Sequence, residues 1–286
     1  MTDIIRIIKR GMAEAVLLFF ALLIIIPIWM VFSGSFMGQY EFMQNLSPVL
    51  VVSDQNAFWP IIPKYPTLRP YIELLLDSPS FFKMFWNSCK QVLPILGGQL
   101  VTAVPAAWAF SRFQFPFKKA LFTIYVILMI MPFQVTMVSS YLVLDQLKLL
   151  HSQFAVILPA VFSTFPIFIM VKFFSSIPNA VIEAAEIDGA NEWTLFMQIG
   201  IPMGMSGIMS AMVLGFLEQW NTIEPSLTFL SDISKWPLSL YLPNIAADNA
   251  GVSLAASVIM LAPALLIFLF GQSYLEEGII ASGLKE

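Results

Sequence analysis

Six stretches of this sequence run for 18 residues or more without an Asp, Glu, Lys or Arg: 15–32, 91–110, 120–144, 153–171, 199–217 and 249–275. A helix rises about 1.5 Å per residue and the hydrocarbon of a bilayer is about 30 Å thick, so each stretch is long enough to cross. No water-soluble fold hides six such segments, in a chain that is 58% hydrophobic and 11% charged where soluble domains carry about 25% charged residues. Strands of a membrane barrel would be about 10 residues long and alternate in polarity, and no such alternation recurs. The expected fold is therefore all-α: six transmembrane helices joined by loops.

The charged residues set orientation and exclude partners. The formal charge is −4, from 14 Lys and Arg against 18 Asp and Glu, and no basic cluster is long enough to follow a nucleic-acid backbone. One cysteine, Cys89, and one histidine, His151, make neither a disulfide framework nor a metal site. Arg6, Lys9 and Arg10 ahead of an apolar run resemble a secretory signal, but 18 uncharged residues exceed a signal's apolar region of about 7–15. The expectation is an uncleaved first span, 15–32, behind a tail, 1–14. Lys and Arg gather in that tail and between spans two and three (Arg112, Lys118, Lys119), whereas the loops after spans three and five offer Lys148 and Lys235. The bias places both termini in the cytoplasm, with 276–286 as the second tail.

Two loops are long. Segment 33–84, expected outside the cell ahead of a five-span core at 85–275, is rich in Pro and aromatic residues (Pro48, Trp59, Pro60, Pro63, Tyr65, Pro66, Pro70, Tyr71), which suits an ordered, turn-rich cap. The loop at 172–202 reads as two short helices. Ser175 or Ser176 caps the first, with Pro178 in its opening turn, Gly189 ends it in the left-handed conformation, and Asn191 caps the second. Ala184 and Ala185 let another surface approach closely. Glu183, Glu186, Asp188 and Glu192 outnumber Lys172, which is odd for a cytoplasmic loop unless basic groups on a partner protein meet them; a solvated amphipathic loop is the alternative.

In this loop Glu183-Ala184-Ala185, three residues, Gly189, nine residues and Ile199-Gly200-Ile201-Pro202 match the EAA motif: EAA, three residues, Gly, nine residues, Ile-x-Leu-Pro. The chain thus resembles the permeases of ATP-binding-cassette importers. Ile201 stands for the usual Leu, and Glu186 where a basic residue is frequent. The resemblance runs from first span to last and is closest to carbohydrate-importer permeases, such as the small subunits of maltose transporters. It is supported by Arg112-Phe113, by 132–136, by Ile177-Pro178, by 187–190 and by Trp220-Asn221. It implies that Glu183, Ala184, Ala185, Asp188, Gly189 and Pro202 belong to a coupling helix seated on a cytoplasmic ATPase. It also implies a second permease subunit, two copies of an ATP-binding subunit, an extracytoplasmic solute-binding protein and lipid of a prokaryotic cell membrane as partners. No Gly-x-x-x-x-Gly-Lys-Ser/Thr loop occurs in the sequence, so ATP would be hydrolysed by the partner, with no cofactor or metal bound here.

For a solute the candidates are Glu218, Gln219, Trp220 and Asn221, where an acid, amides and an indole follow span five; charge near membrane depth marks function. Against this, Trp220 could belong to an interfacial belt with Glu218 facing water. Gly97, Gly98, Thr102, Pro105, Gly204 and Gly207 suit helix packing, Cys89 a small apolar filler and His151 a solvated loop. An ion-coupled secondary transporter is the alternative function, though no span carries a charge at its centre. A structural or signalling anchor would leave the motif spacing unexplained.

Overall fold

The structure, a computed structural model, describes residues 2–50, 57–241 and 249–283, with side chains described over 10–45, 57–241 and 249–277. Arg6, Lys9, Pro48 and most of the tail 276–286 lie outside the described side chains. The described residues are overwhelmingly helical and contain no β-strand, only an isolated antiparallel bridge between Met37 and Pro66. Four helical stretches are long and apolar enough to cross a membrane, Arg10–Gly34, Pro79–Arg112, Phe154–Ser176 and Ala250–Glu277; two bent pairs bring the number to six if each is one span.

The chain divides into two compact units, residues 1–81 with 242–262 and residues 82–241 with 263–286. The first is built on α1 (Thr2–Gly34), α2 (Gln39–Leu50) and α3 (Arg69–Leu76). Every side chain from Arg10 to Trp29 is exposed, so the apolar surface of α1 needs lipid or another subunit to cover it. The described residues of segment 33–84 are tied together by specific bonds. Glu41, buried, accepts the backbone N–H groups of Lys64 (2.7 Å) and Tyr65 (3.1 Å), and Thr67 N–H donates to Phe36 O at 2.8 Å. Trp29 Nε1 donates to Ile61 O at 2.9 Å. At Gly34 an added Cβ would lie 2.6 Å from the Trp59 ring, so that close approach requires glycine.

The second unit is organised by α4 (Pro79–Arg112), which is about four turns longer than the expected span. Ser88, Gln91, Val92, Ile95, Gln99, Ala103 and Ala107 are all buried, a stripe at intervals of three and four that marks one helix face. Apolar members pack on neighbours, and polar members tie down backbone. Asn87 Nδ2 donates to Ser234 O (2.8 Å) and Trp236 O (3.0 Å), and Ser88 Oγ accepts Leu238 N–H at 2.8 Å.

The expected third span is broken. α5 (Lys118–Ile130) and α6 (Phe133–Gln146) meet at 104° across Met131-Pro132. Proline lacks an N–H and disfavours helical geometry in the residue before it; Met131 takes ψ 124°. The fourth is interrupted at 162–164 between α7 (Phe154–Val161) and α8 (Phe165–Ser176). After the short α9 (Asn179–Ile187) and α10 (Glu192–Thr194), the fifth begins in a π-helical stretch, Leu195–Gly200. It continues as α11 (Ile201–Met203) and bends by 66° at Gly204 into α12 (Met205–Asn221). α13 (Glu224–Phe229) and two 3-10 turns precede α14 (Ala250–Gly283), whose second half packs in this unit, with Gly271 against Val213 and Tyr274 O accepting from Ser210 Oγ at 2.8 Å.

Candidate functional site

α9 and its turn show why the loop sequence folds as it does. Pro178 is the N-cap and Asn179 opens the helix. The expected serine cap does not form: Ser176 Oγ donates back to Phe173 O at 2.7 Å, because the chain turns extended at Ile177 before the helix starts. At the other end Gly189 has φ +88°. Gly189 N–H donates to Glu186 O (3.0 Å) and Ala190 N–H to Ala185 O (2.9 Å), the paired bonds of a Schellman motif. An added Cβ at Gly189 meets nothing within 4 Å, so glycine is needed there for its backbone and not for space. Asn191 Oδ1 then accepts Thr194 N–H at 2.8 Å and caps the following helix.

The helix is anchored on one side and free on the other. Ile182 is 4% exposed and joins a buried cluster with Ala107, Trp108, Phe174, Phe196 and Ile208, against which Ala185 and Ala190 also pack. This places α4, α8, α9, the π-helical stretch and α12 around one core. Glycine permits the close packing: an added Cβ at Gly200 would sit 2.6 Å from Trp108, and at Gly204 2.3 Å from Phe174. Arg112 at the end of α4 donates to Asn179 Oδ1 at 3.1 Å and lies 5.7 Å over the Trp108 ring. Facing outward are Glu183, Ala184, Asp188 and Gly189, with Ile187 at 86% exposure and Trp193 at 69%. Pro202 is exposed too.

A second feature lies where the helices break. A cavity of about 670 Å³ is lined by Met131 at the α5–α6 break, Ser163 and Thr164 at the α7–α8 break, and Thr222 and Glu224 where α12 gives way to α13. Glu218, Gln219, Thr136 and Ser140 also line it. Broken helices leave unpaired backbone groups, tolerated at membrane depth where they border a cavity or meet other protein groups. Some are met from α4: Gln99 Nε2 donates to Ala160 O at 2.9 Å, and Thr102 Oγ1 reaches Val161 O at 3.3 Å. Gly98 makes that approach possible, since a Cβ there would lie 2.5 Å from Val161; at Gly97 nothing lies within 4 Å.

The four expected solute residues are divided. Glu218 and Gln219 border the cavity. Trp220 is 3% exposed, stacked on Phe216 (5.3 Å, 14°) and edge-on to Phe85 (5.9 Å), beside an all-apolar pocket with Cys89 and Pro263. Asn221 is exposed and its Nδ2 donates to Leu217 O at 2.8 Å. Helix geometry accounts for the split: about 100° per residue puts positions 218 and 220 about 200° apart, on opposite sides of α12.

Residues 99–280 match the family model described as binding-protein-dependent transport system inner membrane component. The chain belongs to this family. A probable ABC transporter permease protein of Pyrococcus horikoshii is 33% identical over 79% of this chain and 84% of its own length. An arabinooligosaccharide transport system permease protein of Halalkalibacterium halodurans is 24% identical over 93% of each. The fold resembles that of a chain in the crystal structure of a bacterial ABC transporter that imports the acidic polysaccharide alginate, with TM-score 0.77, 23% identity and 92% and 95% of the two chains covered.

As a member of this family the chain is a multi-pass transport component of a system that works with a binding protein, and not itself an enzyme. Two features, one in the cavity and one in an outlying loop, have little local signal in the sequence. Glu224 lines the cavity and its Oε1 accepts from Gln134 Nε2; the Glu-Pro pair that starts α13 was the only local sign. His151, expected to be a plain solvated residue, is exposed, yet has φ +63° and accepts Ser231 N–H on Nδ1 at 3.4 Å. In the same outlying loop hydrogen bonds from the Ser234 hydroxyl and amide hold the Asp232 carboxyl below the usual carboxylate range.

Proposed function

We infer that this permease is one membrane subunit of an ATP-driven sugar importer. It forms half of the solute pathway and takes its drive from a separate ATPase through the surface around Glu183–Gly189. One observation carries the coupling role: α9 offers Glu183, Ala184 and Ile187 to solvent while Ile182 and Ala185 root it in the cluster that joins α4, α8 and α12. A partner moving α9 therefore moves the helices around the cavity as bodies. The exposed Ile187 and Trp193 are apolar anchors suited to a groove, and the acids Glu183, Asp188 and Glu192 suit basic groups at its rim.

The sugar is supported by carbohydrate-transporting relatives such as the arabinooligosaccharide permease. With each bent pair counted as one span, six helices cross and both termini are cytoplasmic, as the distribution of Lys and Arg requires. The assembly then comprises this chain, a second permease covering the bare face of α1 together with lipid, two ATP-binding subunits that hydrolyse ATP, and an extracytoplasmic solute-binding protein. Glu218 and Gln219 are the pathway candidates, and Trp220 holds α12 in place behind them.

The exposed and rooted positions of α9 separate docking from folding. Ala184→Arg and Ile187→Asp should abolish co-purification of the ATPase and sugar-stimulated ATP hydrolysis while leaving the permease's melting temperature unchanged. Ala185→Arg should lower that temperature as well, since it drives a charge into the cluster. If the first two variants keep the ATPase bound and coupled, the docking assignment is wrong.

A further inference from the structure

Building on the reading that the broken-helix cavity is half of the solute pathway, we propose that this cavity selects by charge. It passes uncharged and cationic saccharides and turns away anionic ones, such as sugars bearing uronate groups. Its fixed charges have one sign. Glu218 reaches it from α12 and Glu224 from α13, and among the described lining residues there is no lysine or arginine.

Among the described residues neither carboxylate is held in an ion pair; the pairs there join Arg10 to Glu14 and Arg69 to Glu73. The hydrogen bond that Glu224 receives comes from Gln134, a neutral amide that orients the carboxylate without neutralising it. The remaining polar side chains of the lining are uncharged: the Gln219 amide and the hydroxyls of Thr136, Ser140, Ser163, Thr164 and Thr222. Hydroxyls donate and accept alike, so they match sugar hydroxyls and do not discriminate by charge. The volume, about 670 Å³, suits a solute of a few sugar units, within the usual range for ligand sites.

The size of the effect follows from Coulomb's law. At about 8 Å, through an effective dielectric of about 20, one carboxylate lowers the occupancy of a unit anion about thirtyfold and raises that of a cation as much. Salt reduces the figure at exposed positions, which leaves about threefold for each sign, and so about tenfold in the cation-to-anion ratio, as the expected floor.

The test reads charge selection directly and needs no knowledge of the natural sugar. Ser140 is replaced by cysteine in a Cys89→Ser background, and the permease is assembled with its partner subunits in membrane vesicles. Modification of the new thiol at about pH 7.5 is timed with cationic and anionic methanethiosulfonates of similar size, with and without ATP. Relative to a free thiol in solution, the cationic-to-anionic rate ratio should rise more than about tenfold. It should fall at least about fivefold in the E218Q/E224Q double variant, and also when salt is raised from about 0.05 to about 0.5 M in the Ser140→Cys protein alone, which keeps the test informative should the double variant fail to assemble. A ratio equal to that of the free thiol, or one unmoved by both manipulations, overturns charge selection and leaves the pathway reading standing. A thiol that reacts with neither reagent in any state overturns both, since a cavity sealed from water carries no sugar.

Discussion

Gly189 offers the sharpest test of how the coupling loop is built. Its φ of +88° lies where side chains other than glycine are strained, yet a Cβ there would touch nothing within 4 Å. The cost of substitution is thus a backbone cost. Left-handed geometry costs an ordinary residue about 1–2 kcal/mol, Asn less because it tolerates that region, and a β-branched residue more. At about 1.5 kcal/mol the native turn loses about a factor of 13 against alternatives, since 1.4 kcal/mol is about tenfold. The two Schellman bonds to Glu186 O and Ala185 O would open with it, freeing Asn191 from its capping position. Sugar uptake and sugar-stimulated ATP hydrolysis, measured in vesicles at matched permease levels, should fall in the order Gly, Asn, Ala, Val, with Asn within about threefold of wild type and Val reduced about tenfold or more. The helix cluster would be intact, so melting temperatures should barely move. If Val coupled as well as glycine, or Asn as poorly as Val, the left-handed turn would not be what the motif glycine supplies.

Further outcomes follow from other positions. Trp220→Ala should destabilise the permease by about 3–5 kcal/mol through loss of buried aromatic packing, read as a fall in melting temperature in detergent, whereas Glu218→Gln should leave melting unchanged and alter uptake. Glu41→Ala should leave the Lys64 and Tyr65 amides unpaired at a cost of about 1–3 kcal/mol, and limited proteolysis should then cut segment 57–68 faster. Gly98→Leu should overpack the contact with Val161 by about 1–3 kcal/mol and lower the melting temperature. Arg112→Ala removes a hydrogen bond to Asn179 and a contact with Trp108 worth about 1 kcal/mol; it should leave the ATPase bound but raise ATP hydrolysed per sugar imported.

What the sequence made legible was local. A long uncharged run identifies a membrane helix wherever it ends up, and the Gly189 turn and Asn191 cap depend on residues within three to five positions of each other. The break at Met131-Pro132 was equally local and could have been read from the proline, but the absence of charge through 120–144 suggested one continuous span. Facing was harder. Ala184 and Ala185 look equivalent in sequence, yet the first is exposed and the second packs on the buried cluster because Ile182, one turn earlier, fixes which side of α9 is rooted. Glu218 and Trp220 looked like one cluster until helix rotation separated them. Gln99, Glu41 and Glu224 act through partners 23 to 90 positions away, Ala160, Lys64 and Gln134, and no local pattern announces such pairings.

If this permease moves sugar with energy supplied by an ATPase bound at α9, uptake must follow ATP and not an ion gradient. Uptake of a labelled oligosaccharide accepted by the binding protein would be followed in vesicles holding the complete transporter, with ionophores that collapse proton and sodium gradients or with vanadate that blocks the ATPase. Uptake should persist under ionophores and stop with vanadate or with Ala184→Arg. Uptake that survives vanadate and Ala184→Arg but ends when the ion gradients collapse would contradict coupling to ATP.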